Sequence, residues 1–160
     1  MSAILWRIAA DTPTYAANDL TGRGAEITGG RWNSRGAPVI YASETRALAC
    51  LETVVHFNAG GLPLNRYLVT LEVPDTLWAL AETLEPASLP VGWDAEPPGF
   101  VSLAAGDAWL ASRRSALLRA PSAIIPEEFN VLINPRHPDS GSINAAKVRR
   151  WLYDPRLKTP

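Results

Sequence analysis

The stretch Gly29–His56, GGRWNSRGAPVIYASETRALACLETVVH, constrains the fold more than any other part of the chain. It reads as a loop carrying Arg31, a short strand carrying Tyr41 and a helix carrying Glu52. Gly29-Gly30 supplies backbone that can take positive φ or approach a neighbour closely. Pro38-Val-Ile-Tyr-Ala is a brief β-branched run opening on a proline, which a strand tolerates at its first residue or at an edge. Ser43 is expected to cap the following helix, with Glu44 in its first turn, where the helix dipole favours an acid. Ala47, Leu48, Leu51, Val54 and Val55 then recur at helical spacing and predict one buried stripe on a helix over 43–57. At about 100° per residue, Glu52 falls on the border of that stripe, one step from Leu48. A carboxylate there is partly desolvated, which costs free energy unless a cation or hydrogen-bond donors meet it. Two readings are open: a core-edge glutamate tied to a nearby arginine, or a carboxylate set in a cleft to act on a ligand.

The rest of the chain supplies strands around this unit. Ile4–Ala9 reads as a first strand with Arg7 inside it, facing solvent, an edge or a pocket. Residues 11–37 show little periodicity and carry Gly22, Gly24, Gly29, Gly30 and Gly36; so long a loop in a compact domain is often functional. Asn58–Pro63 is a stop and turn, and Tyr67, Val69, Leu71 and Val73 then alternate on one face of a strand. Residues 107–114 predict a short helix. Ala116–Ala120, Ser122–Ile125 and Asn130–Ile133 read as strands of a second half-sheet, and Val148–Tyr153 as a last strand. One α+β domain over residues 1–160, with few short helices, is the expected architecture.

Composition excludes several classes. With 160 residues, 47% of them hydrophobic and 19% charged, the chain can bury a substantial core, and a net charge of −1 gives no electrostatic case for nucleic acid or membrane. Cys50, the only cysteine, cannot form an intrachain disulfide, and together with His56 and His137 it falls short of a structural zinc set. No apolar run approaches the ~18 residues of a membrane span, and the first residues lack a basic n-region and a cleavage pattern. A cytoplasmic, metal-free protein is expected. From Tyr67 to Ser112 there is no Lys, Arg or His, while Glu72, Asp75, Glu82, Glu85, Asp94, Glu96 and Asp107 accumulate among prolines. That segment is either a solvated acidic surface or a face for a basic partner. The Rossmann and P-loop glycine patterns, the GxSxG elbow and HExxH are all missing, which leaves Arg, Tyr, Glu and Ser as the reactive set.

Seven pieces in order carry a family likeness. Trp6-Arg7-Ile8, then Gly29-Gly30-Arg31-Trp32-Asn33 with Gly36, then Tyr41-Ala42-Ser43 are followed by Leu51-Glu52 with Val55-His56. Ser122 after Pro121, Asn134-Pro135-Arg136-His137-Pro138 and Asp154-Pro155-Arg156-Leu157 complete the series. Together they resemble the RES domain over nearly the whole chain, outside the proline-rich 74–100 region. The family is named for an Arg, a Glu and a Ser, which map onto Arg31, Glu52 and Ser122. The resemblance implies mixed sheets similar to those of ADP-ribosyltransferases of the diphtheria-toxin type. It also implies the toxin half of a bacterial RES–Xre toxin–antitoxin pair, bacteriostatic through loss of NAD⁺ as substrate. Its partner would be a helix-rich, Xre-like DNA-binding antitoxin that occludes the active site, around a toxin dimer within a hetero-oligomer.

The implied chemistry suits the residue types. Cleaving the nicotinamide–ribose bond of NAD⁺ expels a leaving group that becomes neutral, so no general acid is needed, unlike the carboxyl pair of an ordinary glycosidase. The site must instead stabilise positive charge growing on the ribose, the role expected of Glu52. Arg31 is then a candidate to grip a phosphate of NAD⁺ and to keep Glu52 charged; its alternative is to staple the long loop. Tyr41 is a candidate platform or hydroxyl donor for the ligand, or a core tyrosine. Ser122 can bond Glu52 or a ribose hydroxyl, or cap a turn beside Pro121. Arg7 and Asn134 are further NAD⁺-binding candidates, while His56 and His137 read as structural. The expected reaction is hydrolysis or phosphorolysis of NAD⁺, with protein ADP-ribosylation as the alternative acceptor chemistry. A partner-binding module that uses the acidic 72–107 face without catalysis is the competing class.

Overall fold

Strict alternation makes β3 (Arg66–Pro74) the spine of the molecule: Val69, Leu71 and Val73 are wholly buried on one side, and Leu68 on the other. The computed structural model describes residues 2–57 and 60–157, so Asn58 and Ala59 of the expected Asn58–Pro63 turn lie outside the described residues. β1 (Ser2–Ala10) pairs antiparallel with β3 along its whole length, from Ser2↔Pro74 to Ala10↔Arg66. β7 (Asn144–Trp151) flanks β3 on its other edge, starting earlier than Val148 and ending before Tyr153.

Beyond β1 come β2 (Ile40–Ser43), β6 (Phe129–Ile133), β5 (Leu117–Pro121) and β4 (Glu82–Thr83), giving the order β4-β5-β6-β2-β1-β3-β7. All pairings are antiparallel except β4 with β5, so the sheet is mixed. The seam between β1 and β2 is narrow. They meet at one register pair, Trp6↔Ser43, which leaves two half-sheets joined at a point.

One side of both halves forms a single apolar cluster that includes Leu5, Ile40, Ala42, Leu71, Val131 and Ile133. The opposite side is divided. Over β5, β6 and β2, the helix α4 (Phe100–Ser112) packs Trp109 and Leu110 with Trp32, Trp93, Leu118 and Leu132. Over β1 and β3, the helix α2 (Arg46–Val54) packs Ala49 with Ile8, Leu68 and Tyr153. The polar site lies on this divided side.

Several expectations need correction. The 11–37 stretch holds a helix, α1 (Arg23–Thr28), entered through Gly22 at φ 74 and left through Gly29 at φ 69. The helix expected over 107–114 runs instead from Phe100 to Ser112, and Gly106 within it lets its backbone lie against Trp32: a Cβ there would stand 1.8 Å from the Trp32 carbonyl oxygen. α3 (Asp75–Trp78) interrupts the acidic segment just after β3. Ser122–Ile125 is a turn and not a strand, since the Ser122 hydroxyl accepts the N–H groups of Ile124 and Ile125 at 3.1 and 3.2 Å. Among the described residues, no helix is long and apolar enough to cross a membrane.

Candidate functional site

The site begins with the setting of α2. Thr45, not Ser43, caps it, its side chain accepting from the Leu48 N–H at 3.1 Å. Glu44 lies before the helix and pairs with Arg119 at 2.6 Å. The buried face is also rotated from the expected stripe: Leu48 and Ala49 are buried, whereas Ala47 and Val55 are exposed. Glu52 stands one turn on from Leu48 and Ala49, so it points inward rather than along a border. Thr53 bonds the Tyr153 hydroxyl at 2.8 Å, and Arg46 stacks 4.2 Å over the Trp6 ring. Polar and cationic contacts, rather than the apolar spacing alone, turn this helix.

Two donors converge on one oxygen of Glu52. Ser122 Oγ donates to Oε1 at 2.6 Å and Asn130 Nδ2 donates to the same atom at 2.7 Å. Ser43 Oγ in turn donates to Asn130 Oδ1 at 2.7 Å. Strand alternation explains the convergence. Ser122 continues the face of Leu118 and Ala120, Asn130 that of Leu132, and Ser43 that of Tyr41. The same face that α4 covers with tryptophans at one end is therefore polar at the other, where α2 delivers Glu52. Ser122 is fully buried and Ser43 is 3% exposed, while Glu52 and Asn130 are half-buried, so the bonds are sheltered on one side and open on the other. Ser122 fills both of its expected roles, as partner of Glu52 and as turn cap.

Asn130 and Ser43 are the site residues that sequence reasoning missed. Asn130 reads along the chain as the polar start of an apolar run, and Ser43 as a helix cap. The signal available was parity, which places both on the Leu132 and Tyr41 face, but nothing local says that Glu52 arrives there.

The other candidates do different work. Arg31 does not meet Glu52: its Nη1 donates to the carbonyls of Trp93 and Ala95 at 3.2 and 2.8 Å, and Nη2 pairs with Glu96 at 3.1 Å. It staples the proline-rich segment to the Gly29–Asn33 loop, and Trp32 stacks on Trp93 with centroids 6.2 Å apart. The Tyr41 hydroxyl is committed internally, donating to Asn33 Oδ1 at 2.7 Å and accepting the Trp32 N–H at 3.0 Å. Burial pushes its phenol far above the ordinary range, so the group is a neutral clamp on the loop. Its ring remains on the site face.

Arg7 alternates to the side opposite Trp6 and Ile8, away from α2. Its Nη1 donates to the Tyr41 carbonyl at 2.9 Å, bridging β1 and β2 where ladder bonds are sparse. Desolvation lowers its pKa, opposed by Asp19 and Tyr15, and its buried Nε has no partner among the described residues. Asn134 is internal as well: it donates to the Leu110 carbonyl at 3.0 Å and accepts the Arg136 N–H at 3.0 Å. It lines a cavity of about 210 Å³ at the far end of α4, with Ser34, Asp107, Arg113 and Arg136. Asn134 is four residues along the strand direction from Asn130, so roughly 13 Å separates them. His137 caps the turn that follows it by accepting the Asp139 N–H, and His56 is exposed after α2.

Among the described residues no group of three or more His, Cys, Asp or Glu side chains is arranged to hold a metal ion. The acidic segment is partly consumed within the fold. Glu82 binds Arg114 and Ser115, Glu96 binds Arg31, and Asp107 accepts from the Ser34 backbone and hydroxyl.

A single α+β domain with a seven-stranded mixed sheet and few helices agrees with the family match. Residues 4–155 match the family model described as RES domain, and the chain belongs to the RES-domain family of toxins. A Sphingobium protein named Prs ADP-ribosylating toxin is 62% identical over 157 residues, covering 98% of each chain. Proteins named Toxin Res are similar as well. That of Pseudomonas putida is 39% identical across 96% of this chain and 99% of its own, and that of Yersinia enterocolitica 36% identical across 90% and 93%.

Proposed function

We propose that the chain is an ADP-ribosyl-transfer toxin that cleaves the nicotinamide–ribose bond of NAD⁺ and passes ADP-ribose to a protein acceptor. The observation that carries this reading is the Glu52 carboxylate, with Ser122 and Asn130 both bonded to Oε1. Glu52 Oε2 receives no hydrogen bond among the described residues, which leaves it available to substrate. In the reaction, the glycosidic C–N bond breaks and its electron pair leaves with nicotinamide, which departs neutral. The ribosyl carbon gathers positive charge, and an ionised carboxylate beside it lowers that charge's energy without moving a proton. At about 4 Å and an effective dielectric near 20, such a pair is worth roughly 4 kcal/mol. That corresponds to about 10³ in rate. The acceptor nucleophile then bonds to the carbon and sheds its own proton.

The acceptor is the point on which the relatives weigh most. The 62% identical relative is named for ADP-ribosylating Prs, and near full-length similarity favours a protein acceptor here, Prs being the first to try. Hydrolysis or phosphorolysis of NAD⁺ is the same cleavage with water or phosphate as acceptor. The Tyr41 ring, on the face of Ser43, is the platform we assign to nicotinamide. A toxin of this kind acts in the cytoplasm, where NAD⁺ is held. It requires a neutralising partner, for which the family resemblance supplies an Xre-like antitoxin over the cleft and a toxin dimer within the complex.

Product analysis tests the reading. NAD⁺ is incubated with the protein alone, with phosphate and with Prs, beside Glu52→Gln. Nicotinamide release that falls by about 10³ in the variant is expected, with Prs gaining the mass of ADP-ribose. Folded wild-type protein that releases no nicotinamide under any condition would refute it.

A further inference from the structure

Glu52 is oriented by a neighbour that is itself oriented, and both links sit at the seam between the half-sheets. We propose that the cross-strand pair Ser43–Asn130 is a positioning relay that sets the Glu52 carboxylate for ribosyl transfer; this rests on the proposed activity.

The chemistry of the three groups admits one consistent arrangement. An ionised carboxylate can only accept, so the Asn130 amide must present its NH₂ to Glu52. That leaves Oδ1 facing Ser43, and an oxygen acceptor there obliges the Ser43 hydroxyl to donate. The distances, 2.7 Å for each link, match this direction throughout. Without Ser43 the amide keeps its NH₂ towards the carboxylate but loses the contact that fixes its Oδ1, so its plane is free to tilt and the donor to Glu52 is less well aimed. Asn130 and Ser43 are opposite one another in the β2–β6 ladder, so the contact is built from two strands and not from a mobile loop. Ser43 is also the residue through which β2 meets β1, opposite Trp6. The relay therefore links the place where the half-sheets meet to Glu52 through one hydroxyl and one amide. Ser122 holds the same Oε1 from the turn after β5 and has turn N–H groups as further partners, whereas among the described residues the side-chain hydrogen bonds of Ser43 and Asn130 go to the relay. That makes the relay separable from the fold.

The test is a double-mutant cycle on nicotinamide release with Ser43→Ala, Asn130→Ala and the two combined, beside wild type. Asn130→Ala is expected to lower kcat by about 10²-fold, the cost of a misplaced reacting group, with KM for NAD⁺ little changed. Ser43→Ala is expected to lower kcat by about 3- to 10-fold, the worth of one neutral hydrogen bond. Because Ser43 acts through Asn130, the double variant should be no slower than Asn130→Ala alone. Losses that multiply, or an Asn130→Ala enzyme with unchanged kcat, would overturn the relay. A second readout is independent of turnover: the side-chain carboxyl ¹³C resonance of Glu52 should move in the same direction in both single variants. A resonance unmoved by Ser43→Ala overturns the relay as well. Wild-type protein that releases no nicotinamide while the resonance responds to both substitutions would sink the proposed activity and leave the positioning intact.

Discussion

Gly106 is the position at which one added methyl group should do most harm. An ideal Cβ there lies 1.8 Å from the Trp32 carbonyl oxygen, 2.6 Å from its carbon and 2.8 Å from its Cα. Ordinary carbon contacts fall at about 3.5–4.0 Å, so α4 or the Arg31–Asn33 loop must move by roughly 1.5 Å. Both partners are backbone, and neither can rotate away. The loop is also held by the Tyr41 hydroxyl on the Trp32 N–H and by the stack of Trp32 on Trp93. Overpacking of side chains costs about 1–3 kcal/mol, and a backbone clash belongs at or above the top of that range. For a chain of this size each kcal/mol shifts Tm by about 2–4 °C, so Gly106→Ala should melt about 6–12 °C lower. The same displacement carries Arg31, one residue away, off the carbonyls of Trp93 and Ala95. Thermal unfolding followed by near-ultraviolet circular dichroism reads both the melting shift and the altered tryptophan packing. Gly141→Ala is the control, because nothing lies within 4 Å of its Cβ position. A Gly106→Ala protein melting within about 2 °C of wild type would show that α4 and the loop do not meet as described.

Ser122→Ala removes a donor from Glu52 and the acceptor of two turn N–H groups, so it should lose both turnover and about 1–3 kcal/mol of stability. Calorimetry beside nicotinamide release separates the two effects, and an unchanged Tm would contradict the turn-capping role. Arg31→Ala should free the 93–96 segment, seen as a red shift of Trp93 emission in a variant with the other tryptophans replaced by Phe, and as faster amide exchange there. Turnover lost with an unaltered segment would mean that Arg31 acts on the substrate directly and not through the loop.

Much of the frame was legible along the chain. The alternation of Tyr67–Val73 and the strand at Ile4–Ala9 appear where the pattern puts them, because a half-buried strand repeats every two residues whatever its partners. The helix carrying Glu52 was legible as a helix, but its orientation was not. Its apolar residues spread around too much of the circumference for spacing to pick the inward face, and the choice fell to Arg46, Glu52 and Thr53, whose partners lie on other elements. Ser122–Ile125 looked like a strand because a short apolar run carries no period, and a serine hydroxyl accepting two turn N–H groups settled it otherwise.

The site divides the same way. The ordered series of short motifs, from Trp6-Arg7-Ile8 to Asp154-Pro155-Arg156-Leu157 with Arg31, Tyr41, Glu52 and Ser122 among them, was enough to suggest the family and a lone carboxylate. Sequence also carried parity: the two-residue repeat puts Ser43 on the face of Tyr41 and Asn130 on that of Leu132 once β2 and β6 are known, and Ser122 just beyond β5 continues the face of Leu118 and Ala120. Which of those faces coincide, and that α2 drops Glu52 onto them, was decided only by the order β5-β6-β2-β1 and the single-pair seam. Hydrogen bonds between residues 70 and 78 positions apart leave no trace in local spacing, because their free energy depends on distance in space and not along the chain.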